Sequence, residues 1–131
     1  MTKYLKKPVD SATFVPNGVF RAGATVDDPI VLDGRDVHGD TVSVSGAGAI
    51  PVTAAIVRLT TTGANALTLA DGIDGQILRI VMITDGGDGT LTPTNRGNYS
   101  TITFNDAGDS VSLVFTNSKW YVLSNYGCAI V

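Results

Sequence analysis

Apolar and polar positions alternate along much of the chain with the two-residue period that is typical of β-strands. Residues 41–45 alternate strictly, so Val42 and Val44 are expected to face a core while the intervening hydroxyl side chains face solvent. The run at 77–84 is the most apolar of the chain and predicts a central strand. Further strands are predicted at 54–62, 67–69, 102–104, 110–115, 120–123 and 129–131.

A hairpin near the carboxyl terminus is the clearest local prediction. The strands at 110–115 and 120–123 flank residues 116–119, which predicts a four-residue connection. Residues 45–49 are only glycine, alanine and serine, and are predicted to form a flexible loop. The side chains expected to be largely buried are Val42, Val44, Ile77, Ile80, Phe104, Val111, Leu113 and Trp120.

The first 35 residues differ in character from the rest of the chain. They contain Pro8, Pro16 and Pro29, together with the turn signals Asn17-Gly18 and Asp27-Asp28. Proline fixes an extended backbone and interrupts regular pairing, so residues 1–35 are predicted to form an extended arm with one or two short edge strands. Residues 36–131 are predicted to form a single β-sandwich or jelly-roll-like domain.

Composition strengthens the all-β prediction. All 12 acidic residues are Asp, none is Glu, and the chain has 16 Thr and 15 Gly. Threonine favours strands, and aspartate and glycine favour turns, whereas the missing glutamate is a good helix former. A chain of 131 residues has room for one domain with a substantial core.

The distribution of charge excludes some classes of partner. Lys3, Lys6 and Lys7 lie in the first seven residues, which leaves six cations against 12 anions in the remainder. An acidic body lacks the broad basic surface that nucleic-acid-binding domains require. We expect no membrane association, because every apolar run is far shorter than the roughly 18 residues of a membrane span and the lysine-rich start does not resemble a secretory signal.

No pattern of catalytic residues emerges. His38 is the only histidine, the nucleophile motif Gly-x-Ser-x-Gly is absent, and the single Cys128 lies in an apolar ending that predicts a small buried thiol. One histidine and one cysteine cannot supply the four ligands of a zinc site. We therefore expect a protein that is not an enzyme, with no metal, no cofactor and no small-molecule substrate.

Two Asp-Gly loops, at 71–75 and 85–89, leave a calcium site as an alternative. The chain lacks the bidentate Glu of an EF-hand loop, and Asp-Gly is a preferred turn pair, so the turn interpretation is favoured. Trp120 and Tyr121 follow the hairpin turn, which places one of them in the core and the other outside. A carbohydrate-binding module that uses one of these rings with the Asp loops is a distant alternative.

Residues 66–123 resemble a segment that recurs in virion proteins of tailed bacteriophages, including cyanophages, among them capsid decoration (cement) proteins and parts of tail fibres. The stretches that carry the resemblance are 66–72, 75–76, 89–95, 101–104, 108–111 and 119–122. They consist of turn and core residues, so the resemblance implies a fold and a virion setting, and it transfers no catalytic residue.

The resemblance implies a structural protein on the exterior of the capsid, which clamps neighbouring major capsid proteins and assembles as a homotrimer. A tail-fibre or baseplate β module is the alternative within the virion. The basic start of the arm is expected to bind the partner, through Lys3, Tyr4, Leu5, Lys6 and Lys7. Extended arms attach by pairing with a sheet edge and by inserting a few side-chain anchors.

Overall fold

The computed structural model describes residues 40–131, which form ten β-strands and, in that part of the chain, no helix. The all-β prediction is therefore confirmed, whereas the predicted arm at 1–35 lies outside the described residues. The strands are β1 (Thr41–Ser45), β2 (Gly48–Ile50), β3 (Ile56–Thr60), β4 (Asn65–Leu69), β5 (Gln76–Thr84), β6 (Gly89–Pro93), β7 (Ile102–Phe104), β8 (Ser110–Thr116), β9 (Lys119–Tyr126) and β10 (Ala129–Ile130).

Two five-stranded mixed sheets pack together as a β-sandwich. The first sheet has the order β1-β3-β5-β8-β9, and the second has the order β10-β7-β6-β4-β2. The predicted central strand at 77–84 corresponds to β5, which occupies the middle of the first sheet. Its position is explained by its apolar sequence, since a strand with two neighbours and a covered face can bury more apolar surface than an edge strand can.

The first six strands alternate between the two sheets. β1, β3 and β5 pair in parallel in the first sheet, and β2, β4 and β6 pair in parallel in the second. The chain thus makes three successive turns of a flattened coil, each contributing one strand to each sheet. The last four strands close the stack by antiparallel pairing, with β8 and β9 in the first sheet and β7 and β10 in the second. Among the described strands, β1 and β2 are left as the outer edges of the first turn.

Inward-facing side chains from both sheets form one core. Its largest fully buried members are Trp120, Phe104, Leu59, Leu67, Leu69, Leu78, Ile80, Met82, Leu91, Ile102, Leu113 and Val57. Five of the eight predicted core residues are buried, and Val42 and Val44 are half-buried against the core. The prediction for Ile77 is wrong: Leu78 takes the inward position, and the pleat turns Ile77 to the outer face.

The predicted hairpin is present with a shorter turn than expected. Thr116 pairs with Lys119, so both belong to the strands and only Asn117 and Ser118 form the connection. Both residues have positive φ, 51° and 58°, which is the backbone of a type I′ turn. The backbone of such a turn matches the right-handed twist of the strands. The four-residue connection predicted from the sequence is wrong, because the pairing of the strands extends to Thr116 and Lys119.

Two strands were not predicted. β2 lies in the segment expected to be a flexible loop, and Gly46, with φ of 77°, provides the bend that lets the chain cross to the second sheet. β6 begins with Gly89 and ends with Pro93, residues that are usually depleted in strands. Gly89 is buried, and a Cβ there would lie 3.0 Å from the Thr61 side chain, so a glycine fits the close packing at this point.

Candidate functional site

The partner-binding residues predicted from the sequence cannot be placed in the fold. Lys3, Tyr4, Leu5, Lys6, Lys7 and His38 all lie outside the described residues. The role of the arm therefore stays a prediction. Within the described residues 40–131, no helix capable of crossing a membrane occurs.

Three of the four aspartates of the Asp-Gly loops have structural roles. Asp71 accepts hydrogen bonds from the Asn95 amide at 2.8 and 3.1 Å, and Asp74 accepts one from the Thr116 hydroxyl at 2.8 Å. Asp85 accepts from the backbone N–H of Gly87 at 2.8 Å, an Asx turn within its own loop. Between residues 40 and 131, no group of three or more His, Cys, Asp or Glu side chains is arranged to hold a metal ion.

Trp120 belongs to the core, as predicted. It is fully buried, its indole Nε1–H donates to the Ala70 carbonyl oxygen at 2.8 Å, and its ring meets Phe115 edge-to-face at 5.2 Å and 68°. A ring in this position cannot stack on a sugar or a base. Of the two rings that the carbohydrate alternative invoked, only Tyr121 remains partly accessible.

Cys128 is buried, as the sequence predicted, and is a poor nucleophile. Burial, together with the negative charge of Asp109, raises the pKa of its thiol to about 12. The reactive form of cysteine is the thiolate, so the thiol stays protonated and inert at neutral pH. Its backbone is also fixed, because the Asn125 side chain both donates to the Cys128 carbonyl at 2.9 Å and accepts from the Cys128 N–H at 3.1 Å.

One open cleft lies between the β2–β3 and β4–β5 loops. Its volume is about 320 Å³, and it is lined by Val52, Thr53, Asp71, Gly72, Ile73 and Gln76. Two polar side chains of the cleft already have partners: Asp71 accepts from Asn95, and Gln76 donates to the Val52 carbonyl and accepts from the Ile73 N–H. The bond from Gln76 to Val52 connects the start of β5 to the β2–β3 loop, so these two side chains have structural roles in the cleft.

The outer face of the first sheet combines cations with large apolar side chains. We call it the basic–apolar face and define it by the outward positions Ile56, Arg58, Ile77, Arg79, Val81, Val114, Lys119, Tyr121 and Tyr126. The register places Ile77, Val114 and Tyr121 side by side across three strands. The cations are exposed, whereas Ile77, Val114 and Tyr121 are half-buried.

Charge is unevenly distributed over residues 40–131. Three of the four cations in this range lie on the basic–apolar face, and the fourth, Arg96, lies in the β6–β7 loop, where it donates to the Pro93 carbonyl at 3.0 Å. All seven aspartates lie outside the strands, at positions 40, 71, 74, 85, 88, 106 and 109. Neither outer sheet face therefore carries a carboxylate on its strands.

The outer face of the second sheet is uncharged and is formed by small side chains, alanine and threonine. Its outward positions are Ala49, Ala66, Thr68, Thr90, Thr92, Thr103 and Ala129. The hydroxyls of Thr90 and Thr103 lie 3.5 Å apart across β6 and β7. This surface has neither the charge nor the large side chains of the basic–apolar face.

Sequence reasoning missed the basic–apolar face because its members are brought together by pairing that the sequence did not reveal. Arg58 lies beside Val81 through the parallel pairing of β3 with β5, although 23 residues separate them. The available signal was a single cation at an outward position of each of β3, β5 and β9, which by itself is common on solvated sheets.

The sequence matches no protein-family model and no curated protein at a significant level.

Proposed function

We propose that the chain is a structural, non-enzymatic protein of a tailed-bacteriophage virion, which decorates the exterior of the capsid and clamps neighbouring major capsid proteins. The resemblance of residues 66–123 to virion proteins supports the setting. The observation that carries the proposal is the absence of carboxylates from the strands of both outer sheet faces in residues 40–131, while all seven aspartates of that range lie in loops.

Such a distribution leaves a broad sheet face free to meet another protein. Aspartate, glutamate and lysine are depleted in protein interfaces, whereas tyrosine and arginine are enriched. The basic–apolar face has this composition, with Arg58, Arg79, Tyr121 and Tyr126 beside aliphatic side chains. The acidic loops meanwhile keep the net charge of the body away from zero, which favours solubility before assembly.

The proposal includes an anchoring role for the arm and a homotrimeric assembly. Lys3, Lys6 and Lys7 would add attraction to an acidic neighbour, and three arms joined in one trimer would bind with avidity. Each exposed ion pair contributes only about 0.2–1 kcal/mol, so repetition around a symmetric assembly is what makes these contributions matter. Sedimentation velocity of the purified chain measures the oligomeric state directly.

A tail-fibre or baseplate module is the second candidate, and one feature favours it. The three coil turns formed by β1 to β6 stack in parallel, a mode of growth that β-helices and other elongated solenoids use. A carbohydrate-binding module has less support, because Trp120 is buried and hydrogen-bonded in the core.

Quantitative mass spectrometry of purified virions tests the proposal. A copy number comparable to that of the major capsid protein supports decoration. A few copies per particle favour the tail module, and absence of the chain from purified virions overturns the structural proposal altogether. Recording the same ratio for heads separated from tails assigns the chain to one of the two.

A further inference from the structure

We propose that the basic–apolar face docks onto an acidic protein surface, with Arg58, Arg79 and Lys119 facing carboxylates around an apolar centre. This inference rests on the proposed function, since the partner it implies is the outer surface of the capsid shell. It assigns the orientation of the chain on that shell: the first sheet faces inward and the second sheet faces solvent.

The register of the strands gives this face an ordered layout. Ile77, Val114 and Tyr121 form one row across β5, β8 and β9. Arg79 follows Ile77 on one side of the row, and Lys119 precedes Tyr121 on the other. Neighbouring strands lie about 4.8 Å apart and side chains on one face about 6.7 Å apart along a strand, so both charges border the apolar row directly.

A second cationic position extends the pattern towards β3. Arg58 pairs laterally with Val81, and the same row continues through Ser110 to Tyr126. The Arg58 Nε donates to the hydroxyl of Ser43, on β1, at 3.2 Å, which holds the guanidinium over the sheet. Tyr126 is 74% exposed at the far end of the row. Arginine and tyrosine are the side chains that most often dominate the affinity of an interface.

Charge complementarity indicates that the partner of this face is acidic. The strands of the basic–apolar face carry only positive charge, and Asp74, which borders the face in the β4–β5 loop, accepts a hydrogen bond from Thr116. Every other aspartate of residues 40–131 also lies in a loop, so an acidic partner is repelled from the ends of the sandwich and attracted to this face. Such an arrangement fixes the orientation of docking more than it adds raw affinity.

A protein surface fits this face better than a nucleic acid does. Duplex binding requires a series of cations that neutralise successive phosphates, whereas this face offers three, interleaved with aliphatic side chains. Ile77, Val81 and Val114 have nothing to gain from a phosphate backbone, but they can be buried against an apolar patch of a protein. The same reasoning disfavours an anionic membrane as the partner, because the charges are few and dispersed.

The test uses the full-length chain and purified heads that lack it, with binding measured by co-sedimentation over a range of salt concentrations. Arg79→Gln and Thr68→Glu form a matched pair: each lowers the net charge by one, at an exposed outward position, on the first and second sheet respectively. Arg79→Gln is expected to weaken binding by about tenfold or more, as for a lost charged hydrogen bond. Thr68→Glu should change binding by less than about twofold, which is the level of surface substitutions away from a contact. Circular dichroism and thermal melting of both variants confirm that they are folded.

Zero-length cross-linking with a carbodiimide gives a spatial readout. This reagent joins an amine to a carboxylate in direct contact, and Lys119 is the only lysine between residues 40 and 131. The inference predicts cross-links from Lys119 to Asp or Glu of the major capsid protein. Cross-links confined to Lys3, Lys6 and Lys7 would overturn it, because the arm alone would then make the contact.

The outcomes separate this inference from the proposed function. If wild-type chain does not bind heads, the proposed function fails and the inference fails with it. If wild-type chain binds and Arg79→Gln binds equally well, or if both variants of the pair lose the same affinity, only the inference is overturned. Equal affinity of wild-type chain for a 20-base-pair DNA duplex, or a homo-oligomer that Arg79→Gln dissociates, would assign the face to those partners instead.

Discussion

The two-residue turn between β8 and β9 makes a sharp prediction about stability. Ser118 has φ of 58°, in the left-handed region of the backbone that residues other than glycine and asparagine rarely adopt. Ser118→Gly therefore removes a steric conflict without removing a core contact, because the turn residues are exposed. Asn117, with φ of 51°, is one of the residues that tolerate this conformation, and Asn-Gly is the preferred pair for such a turn.

The expected gain follows from two opposing contributions. A non-glycine residue in the left-handed region costs about 1–2 kcal/mol. Glycine makes the unfolded chain more flexible, which costs roughly 0.4–1 kcal/mol. Ser118→Gly is therefore expected to raise the free energy of unfolding by about 0.5–1 kcal/mol, and the melting temperature by about 2–8 °C.

Urea unfolding followed by fluorescence of the single Trp120 measures the effect, since Trp120 is adjacent to the hairpin and loses its packing on unfolding. With a slope near 1 kcal/mol per M, the midpoint should rise by roughly 0.5–1 M. Ser118→Ala is the matched control, since it removes the hydroxyl and keeps the strain. Gly108→Ala introduces the strain that Ser118→Gly removes. The φ of Gly108 is 101° and no atom lies within 4 Å of the added Cβ, so a lower free energy of unfolding in this variant reports backbone strain alone. If Ser118→Gly is no more stable than Ser118→Ala, the strain argument is wrong.

Three further predictions concern the core, the thiol and the arm. Trp120→Ala should lower the free energy of unfolding by about 3–5 kcal/mol, because it empties a fully buried site and removes the hydrogen bond to the Ala70 carbonyl. Urea unfolding followed by circular dichroism measures this loss, and a loss below about 1 kcal/mol would contradict the assignment of Trp120 to the core. Cys128 should resist iodoacetamide at pH 8 until the protein unfolds. The pKa of the thiol is near 8.5 in the unfolded chain and about 12 in the folded protein, so the contribution of the buried thiol to the free energy of unfolding is complete below pH 8.5 and falls as the pH rises towards 12. A urea midpoint that does not fall over this pH range, relative to that of Cys128→Ala, would refute the raised pKa. Deleting residues 1–10 should leave a folded, β-rich body that no longer decorates heads, and undiminished saturation of heads at physiological salt would show that the arm is not the anchor.

Periodicity predicted the strands whose two faces differ. β1, β7 and β8 were located to within a residue, because one face of each is apolar and the other is not. Periodicity does not fix which face of β5 points inward, since Ile77, Leu78, Ile80 and Val81 are all apolar. A segment that is apolar on both faces gives no signal for which side faces the core, and the assignment of Ile77 to the core failed for that reason.

Other features depended on contacts between distant segments. β2 and β6 contain glycine, alanine and proline, and they become strands because β4 offers a paired edge on each side. The alternation between sheets, and with it the basic–apolar face, is a property of pairing and leaves no local trace in the sequence. The predicted site residues of the arm lie outside the described part of the chain, so their prediction is not tested by the fold.

The coiled path of β1 to β6 gives the molecule a height that can change in fixed increments. Ile56 and its partner Arg79 are 23 residues apart and Asn65 and Gly89 are 24 apart, whereas the first layer is shorter, with 15 residues from Thr41 to Ile56 and 19 from Gly48 to Leu67. A tandem duplication in the gene of a segment of 23 or 24 residues would add one strand to each sheet and about 4.8 Å to the stack. The antiparallel strands fix the opposite end, so a lineage carrying this fold can acquire taller or shorter versions while the closing layer, with its buried Trp120, stays the same.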